Sequence, residues 1–231
     1  NENAIFEVDG VPFLAAGFDN AEKLWEAQWP ILEEVLAEEG HKVLFTGVWP
    51  GQGLYNQEAV NSLADLQGSP FRAYNAATSR LAELMGAVPT TVQYAEVPQA
   101  FSTGVVRSML TSATTGVDVQ AWDFLEYYYS TDAMHPKNLV FVNQRAFDAL
   151  DADIQEAVLT AAANAEARVW AQAREEGAKA EAELAANGMN VLEPSAALLE
   201  EFEAIGAQMT QEWIENAGER GQRLIDAFEA M

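Results

Sequence analysis

Cysteine is absent from the sequence, and histidine occurs only twice, at His41 and His135. The first absence excludes disulfides, thiolate metal sites and catalysis by a cysteine nucleophile. Two histidines so far apart in the chain do not make a histidine-rich metal site. We therefore expect neither a metal nor a cofactor. In addition, no apolar run approaches the roughly 20 residues that a membrane-spanning helix needs.

Basic residues are also scarce, since 12 lysines and arginines stand against 36 acidic residues, for a net charge of −24. Such a surface repels phosphate backbones and anionic lipid headgroups, which argues against nucleic-acid and membrane-surface binding. Apolar residues make up 49% of the chain, enough for a sizeable core. A length of 231 residues suits one large domain or two interlocked lobes.

Strand and helix patterns alternate along the chain. Strands are predicted at residues 42–48, 69–74, 90–94, 105–112, 139–143 and 189–192. Helices are predicted from a cap at residues 18–20 to Gly40, and at residues 75–86, 96–104, 151–187, 195–216 and 220–230. This alternation predicts an α/β fold with largely parallel strand pairing.

Arg72 is the strongest candidate for a ligand-binding residue. It lies in a predicted apolar strand, between Phe71 and Ala73. A charged side chain there must be paired or face a cavity. Its planar guanidinium matches a carboxylate with two parallel hydrogen bonds. A surface salt bridge on an edge strand is the alternative, and the residues alone leave both interpretations open.

Other candidates follow strand ends. The glycine-rich stretch at residues 49–53 lacks the lysine of a phosphate-binding loop and favours a turn, yet it places Trp49 and Gln52 where a cleft is expected. Thr111, Ser112, Thr114 and Thr115 end a strand with hydroxyls that either donate to an anion or satisfy a turn. No nucleophile elbow surrounds either serine of that segment.

A run at residues 96–106, E-V-P-Q-A-F-S-T-G-V-V, resembles the E-V-x-x-A-L-x-x-G-x-V element of substrate-binding proteins of tripartite ATP-independent periplasmic (TRAP) transporters. Further matching elements occur in the family's order at residues 8–14, 62–72, 86–89 and 141–150. The resemblance spans essentially the whole chain. It implies a periplasmic receptor that captures a small organic carboxylate and delivers it to a membrane permease, without enzymatic activity.

The resemblance also implies a two-lobed fold of the periplasmic-binding-protein type, with mixed, mostly parallel sheets. We expect residues 1–48 and 112–137 with the C-terminal helices to form one lobe, residues 49–111 and 138–150 the other, and residues 151–187 a long spanning helix. Family members begin with a further region before the segment matching residues 8–14. Because the chain also starts Asn1-Glu2-Asn3 without methionine, we expect a processed or truncated product.

The ligand site implied by the resemblance centres on Arg72, which occupies the position of the family's carboxylate-binding arginine. Thr111 stands where an asparagine is common, and Gln52 stands near the place of a second common arginine. One cation instead of two favours a monocarboxylate over a C4-dicarboxylate. The remaining predicted contacts are aromatic walls and polar groups, from Trp49, Tyr74, Asn75, Ser112 and Trp122.

Two other classes of function stay open at this stage. Abundant carboxylates fit a hydrolase or isomerase of the α/β class, although no histidine dyad or catalytic motif supports it. The helix at residues 151–187 carries a narrow apolar stripe that fits a dimer seam, so a helical interaction protein and a possible homodimer are the further alternatives.

Overall fold

The computed structural model describes residues 3–231, so Asn1 and Glu2, where the expectation of a processed start arises, lie outside the described residues. Within that range the helices are α1 (Phe18–Glu38), α2 (Ala76–Leu84), α3 (Val97–Ser102), α4 (Ala113–Asp118), α5 (Gln144–Asp148), α6 (Ala152–Ala186) and α7 (Ala196–Glu229). The strands are β1 (His41–Val48), β2 (Gln52–Asn56), β3 (Pro70–Ala73), β4 (Val88–Thr91), β5 (Ser108–Ser112), β6 (Tyr127–Tyr129), β7 (Lys137–Asn143) and β8 (Asn190–Leu192). In this part of the chain, no helix combines the length and the apolarity that crossing a bilayer requires.

The strands form two sheets. Strands β1 and β7 make an antiparallel pair, and the other six strands form a mixed sheet in the order β4-β3-β5-β2-β6-β8. Strand β3 runs parallel to β4 and β5, whereas β2 runs antiparallel to β5 and β6, and β8 runs parallel to β6. The predicted α/β class with mixed sheets is confirmed. Parallel pairs account for three of the six pairings, fewer than strict strand-helix alternation indicates.

The strand pairing departs from the expected lobe boundaries in two places. Strand β7 is expected with residues 49–111, yet it pairs with β1. Strand β6 lies in a segment expected with residues 1–48, yet it pairs with β2 and β8. The chain passes from one sheet to the other between β6 and β7, and no change of composition marks that passage in the sequence.

Strand β2 is the main element that the sequence patterns miss. Its first residues, Gln52 and Gly53, belong to the stretch expected as a turn. Gly53 has a steric role there, because a Cβ at this position would overlap the ring of Tyr128 on the neighbouring strand β6. Glycine in a strand marks such a close approach as well as it marks a turn. At the chain start, a 3-10 helix covers Ala4–Gly10.

The two longest helices pack against different partners, α6 against strands of both sheets and α7 against α1 and α2. Helix α6 contacts β1, α4 and β8, so it packs against elements of both sheets. Its buried face includes Ala162, Trp170 and Leu184, while Ile154 in its first turn is 46% exposed. Helix α7 is interrupted at Gly218, whose φ of 63° lies outside the helical region. The predicted break between residues 216 and 220 is therefore confirmed.

Two apolar clusters make the core. The larger one joins α1, α2 and α7 through side chains such as Leu32, Leu81 and Phe202. The smaller one gathers around β2, β5 and β6 and the end of α6, with Tyr55 and Tyr128 in contact at a ring-centroid separation of 4.6 Å. Burying these side chains is the dominant favourable contribution to the free energy of folding, at about 25 cal/mol per Å² of apolar surface.

Two connecting segments run side by side between the sheets, at residues 49–51 and residues 130–136. The N–H of Trp49 donates to the carbonyl oxygen of Pro136 at 2.9 Å, and the N–H of Gln52 donates to that of Met134 at 3.1 Å. In return, the N–H of Ala133 donates to the carbonyl oxygen of Gln52 at 3.1 Å. These bonds hold the two passages between the sheets together as one ribbon.

His135 lies inside this ribbon and is 2% exposed. Its Nδ1 is 3.2 Å from the carbonyl oxygen of Trp49, and its ring is 4.2 Å from that of Phe18, centroid to centroid. Burial lowers the pKa of His135 to about 4, because the apolar surroundings and the nearby charge of Lys137 disfavour the imidazolium. The histidine is therefore neutral in the folded protein at pH 7.

His135 makes stability depend on pH in a defined window. The unfolded chain takes up a proton near the ordinary pKa of 6.5, while the folded chain does so only near 4. Between these values the unfolded state binds more protons, so stability is lost as the pH falls, by up to about 3 kcal/mol. We expect His135→Gln to lose less stability than the wild type between pH 7 and pH 4.5, measured by urea unfolding. His41→Gln is the control. If the free energy of unfolding of His135→Gln depends on pH as that of the wild type does, His135 is not the group responsible.

Candidate functional site

A pocket of about 310 Å³ opens over the ends of β2, β3 and β5. It is lined by side chains from the six-stranded sheet, the connecting ribbon, α4 and the segment after β4, namely Trp49, Gln52, Arg72, Tyr74, Gln93, Tyr94, Thr111, Ser112, Thr115, Asp118 and Pro136. Six of the eight predicted site residues are in this set. Polar groups converging at strand ends are the usual composition of a small-molecule site.

Arg72 projects from β3, which lies between β4 and β5 within the sheet. The residue is 4% exposed, and its Nε donates to the carbonyl oxygen of Val92 at 3.1 Å. Within residues 3–231 its two terminal nitrogens make no hydrogen bond, and no carboxylate lies within ion-pair distance. The salt-bridge interpretation of Arg72 is therefore wrong, and its terminal nitrogens remain available to a ligand.

Tyr74 holds the Arg72 guanidinium in place. The guanidinium carbon lies 5.0 Å from the centre of the Tyr74 ring, a cation–π contact. The Tyr74 hydroxyl donates to Oε1 of Gln52 at 3.4 Å, and Nε2 of Gln52 donates to the carbonyl oxygen of Pro50 at 3.1 Å. A chain of contacts thus leads from the cation to the connecting ribbon.

Burial shifts the pKa values of both partners in this contact. It lowers the pKa of Arg72, although a guanidinium keeps its charge at physiological pH. It raises the pKa of Tyr74, so the phenol stays protonated and acts as a donor. The pocket floor therefore presents one fixed positive charge beside a neutral hydroxyl.

The hydroxyl residues at the end of β5 have different roles. Ser112 caps α4: its Oγ accepts from the N–H of Thr115 at 3.2 Å and lies 3.1 Å from the Thr115 hydroxyl. Thr111 is 5% exposed and lines the pocket, and its hydroxyl makes no side-chain hydrogen bond in the described part of the chain. Thr111 is thus the better placed of the two to donate to a ligand.

Two predicted site residues lie away from the pocket. Asn75 is the N-cap of α2, and its Oδ1 accepts from the N–H of Thr78 at 2.9 Å. Trp122 is half-buried and packs against the smaller core cluster. Local capping and core packing therefore account for these two side chains, and neither lines the pocket.

Sequence reasoning misses four lining residues, because Thr115 belongs to the group of hydroxyl residues predicted at the end of β5. Asp118 comes from the same helix as Thr115, α4, and extending the search by one turn beyond Thr115 would have found it. Gln93 and Tyr94 follow β4, and Pro136 belongs to the connecting ribbon. No local pattern marks those three, because the fold alone brings them to the pocket.

A larger groove of about 1120 Å³ lies between α1, β1 and α6 and contains none of the predicted site residues. It is lined by the carboxylates of Glu22, Glu26, Glu166 and Glu175, and by Arg174, which pairs with Asp19 at 2.9 Å. An anion would be repelled there. Among residues 3–231, no group of three or more histidine, cysteine or acidic side chains is placed to hold a metal ion.

Residues 2–216 match the model of the bacterial extracellular solute-binding proteins, family 7. The chain belongs to this family. It is 50% identical to DctP7 of Bordetella pertussis, an extracytoplasmic solute receptor binding pyroglutamic acid, with a TM-score of 0.94 over 99% of this chain and 76% of the other. It is 41% identical to DctP6 of the same organism, a receptor binding the same acid, with a TM-score of 0.96 over 100% of this chain and 77% of the other.

A TRAP solute-binding protein from a marine metagenome, specific for pyroglutamate, is 37% identical, with a TM-score of 0.93 over 100% of this chain and 76% of the other. The present protein is therefore an extracytoplasmic solute receptor of the TRAP type, which binds a small organic acid and works with a membrane permease. Family membership decides against the hydrolase or isomerase and against a purely helical interaction protein.

The contact between Tyr74 and Arg72 predicts how the receptor depends on the tyrosine. Tyr74→Ala removes the ring that orders the guanidinium and should weaken organic-acid binding about tenfold, as a desolvated cation–π contact is worth ~1–2 kcal/mol. Tyr74→Phe keeps the ring and should stay within about threefold of the wild type. Calorimetry with an acid selected by thermal-shift screening of the wild type measures both. Equal losses in the two variants would show that the hydroxyl is decisive instead.

Proposed function

We propose that this receptor captures pyroglutamate or a closely related small monocarboxylate. The observation that carries the proposal is the buried guanidinium of Arg72, which lines the pocket and whose terminal nitrogens make no ion pair with a carboxylate of residues 3–231. A ligand carboxylate would complete a bidentate ion pair there. Three relatives between 37% and 50% identical bind pyroglutamate, which supports that ligand.

The lining of the pocket supports a monocarboxylate over a dicarboxylate. Arg72 is the one cationic side chain among the described lining residues, and Asp118 adds a negative charge. A second ligand carboxylate would be desolvated without a cation to balance it. The neutral groups of Gln52 and Thr111 suit an uncharged polar substituent, such as a lactam. Trp49, which is 46% exposed at the rim, offers an aromatic surface to the ring.

We also propose that the two sheets mark two lobes that close on the ligand. The ribbon of residues 49–51 and 130–136 and the spanning helix α6 are the connections about which closure would turn. Trp49, Gln52 and Pro136 belong to or adjoin that ribbon and line the pocket, so a bound acid touches the hinge itself. A homodimer stays a prediction, and the proposed site is built within one chain.

Substitution of Arg72 tests the ion pair. Arg72→Ala should weaken pyroglutamate binding at least a hundredfold while leaving the fold intact, because a charge-assisted bidentate pair in a closed cleft is worth a few kcal/mol. Arg72→Lys should recover only part of the affinity, since an ammonium presents no fork. Arg80→Ala is the matched control, because Arg80 is exposed and pairs with Glu212 at 2.8 Å. Unchanged calorimetric affinity in Arg72→Ala would place the ligand elsewhere.

A ligand panel tests the chemical class. Pyroglutamate at 100 times its dissociation constant should stabilise the receptor by about 2.7 kcal/mol in thermal unfolding. Succinate and malate at the same concentration should produce no measurable stabilisation, because Asp118 opposes their second carboxylate. Tight succinate binding together with weak pyroglutamate binding would overturn the proposed ligand.

A further inference from the structure

Asp118 is the one acidic side chain among the described residues that line the Arg72 pocket. It is the last residue of α4, the helix that begins directly after Thr111 and Ser112 of β5. The pocket therefore contains one cation and one anion, supplied by different elements. A ligand with a single carboxylate satisfies only the cation.

The carboxylate of Asp118 has acceptor capacity to spare. Its Oδ2 accepts one hydrogen bond, from the Tyr94 hydroxyl at 3.3 Å. No lysine or arginine lies within ion-pair distance of it in residues 3–231. An ionised carboxylate offers about four acceptor sites and no donor, so the solvent-exposed Asp118 keeps sites that a ligand donor can occupy in place of water. The Tyr94–Asp118 bond also separates this pocket from a neighbouring one, since both residues line both cavities.

We propose that Asp118 is a specificity-determining residue that accepts a hydrogen bond from an N–H group of the ligand. The receptor then selects acids that carry a carboxylate for Arg72 and an N–H donor for Asp118, such as a lactam acid. Acids of the same shape that present an oxygen at that place are rejected, because two acceptors would face each other. This inference rests on the proposed function, since it takes Arg72 as the carboxylate anchor.

The test compares pyroglutamate with its lactone counterpart, 5-oxotetrahydrofuran-2-carboxylate, which replaces the ring N–H by oxygen and changes little else. The wild type should bind the lactam at least tenfold more tightly than the lactone, as a site built for a donor disfavours an analogue without one. Asp118→Ala should reduce this ratio to within about threefold. Asp118→Asn, which keeps an acceptor but loses the charge, should give an intermediate ratio.

Two further variants separate a direct role from an indirect one. Asp123→Ala removes a carboxylate that lines only the neighbouring pocket, so it should keep the wild-type ratio. Tyr94→Phe deletes the hydroxyl bonded to Asp118, and the lactam preference should persist in it even if all affinities shift. A ratio that collapses in Tyr94→Phe as it does in Asp118→Ala would mean that Asp118 acts only by holding Tyr94.

The outcomes also distinguish the two levels of the proposal. If neither acid stabilises the wild type, the proposed function fails. If pyroglutamate binds through Arg72 and Asp118→Ala discriminates as well as the wild type does, the proposed function stands and the role of Asp118 is overturned.

Discussion

The buried guanidinium of Arg72 is the constraint around which the binding site is organised. Arg72 is 4% exposed and loses most of its hydration on folding. Among the described residues it gains a hydrogen bond from Nε to Val92 and a contact with the face of the Tyr74 ring. Removing a charge from water without a counter-ion is unfavourable, so the terminal nitrogens attract whichever anion can reach them. The pocket then decides which anion fits. The order of strands in the six-stranded sheet matters because it places β3 beside the hydroxyls of β5.

The connecting ribbon places the Arg72 pocket next to the segments that join the two sheets. Gln52 starts β2, contributes to the pocket, and exchanges backbone hydrogen bonds with residues 133 and 134 of the other passage. Its side chain reaches back through Tyr74 towards Arg72. A ligand held by the guanidinium would therefore contact the segment about which we propose that the two sheets turn. Energy gained at the site can in this way favour one arrangement of the sheets over another.

The overall charge of −24 makes the placement of cations important. Many basic side chains pair with acids on the surface: Arg80 with Glu212, Arg220 with Glu38, and Lys179 with Glu176. Exposed pairs of this kind contribute little to stability. Lys137 is buried at 3.7 Å from Asp9, and burial lowers its pKa. Arg72 differs from these in lining a pocket while making no ion pair with a carboxylate of residues 3–231, which gives an anionic ligand a local attraction on an otherwise repulsive surface.

The sequence by itself determined the class of fold and the break in the last helix, and it singled out Arg72 as the leading candidate for ligand binding. Each of these follows from local chemistry: periodic apolar residues, a glycine in a helical pattern, and a charge inside an apolar strand. It also pointed to Thr111 and Gln52, because polar residues at neighbouring strand ends meet at one edge of a sheet, and the family resemblance added Tyr74 as an aromatic wall. Asn75 caps a helix and Trp122 packs against the core. The sequence patterns do not show that these contacts, and not a place in the pocket, set the positions of the two side chains.

Only the tertiary structure decided which strands pair across the connecting ribbon and which distant residues complete the pocket. Strand β7 pairs with β1 across almost a hundred residues of sequence, and short strands of similar composition carry no mark of their partner. Tyr94 and Asp118 meet for the same reason: their hydrogen bond depends on how α4 and the segment after β4 pack. Such contacts arise from the packing of whole elements, so no local run of residues encodes them.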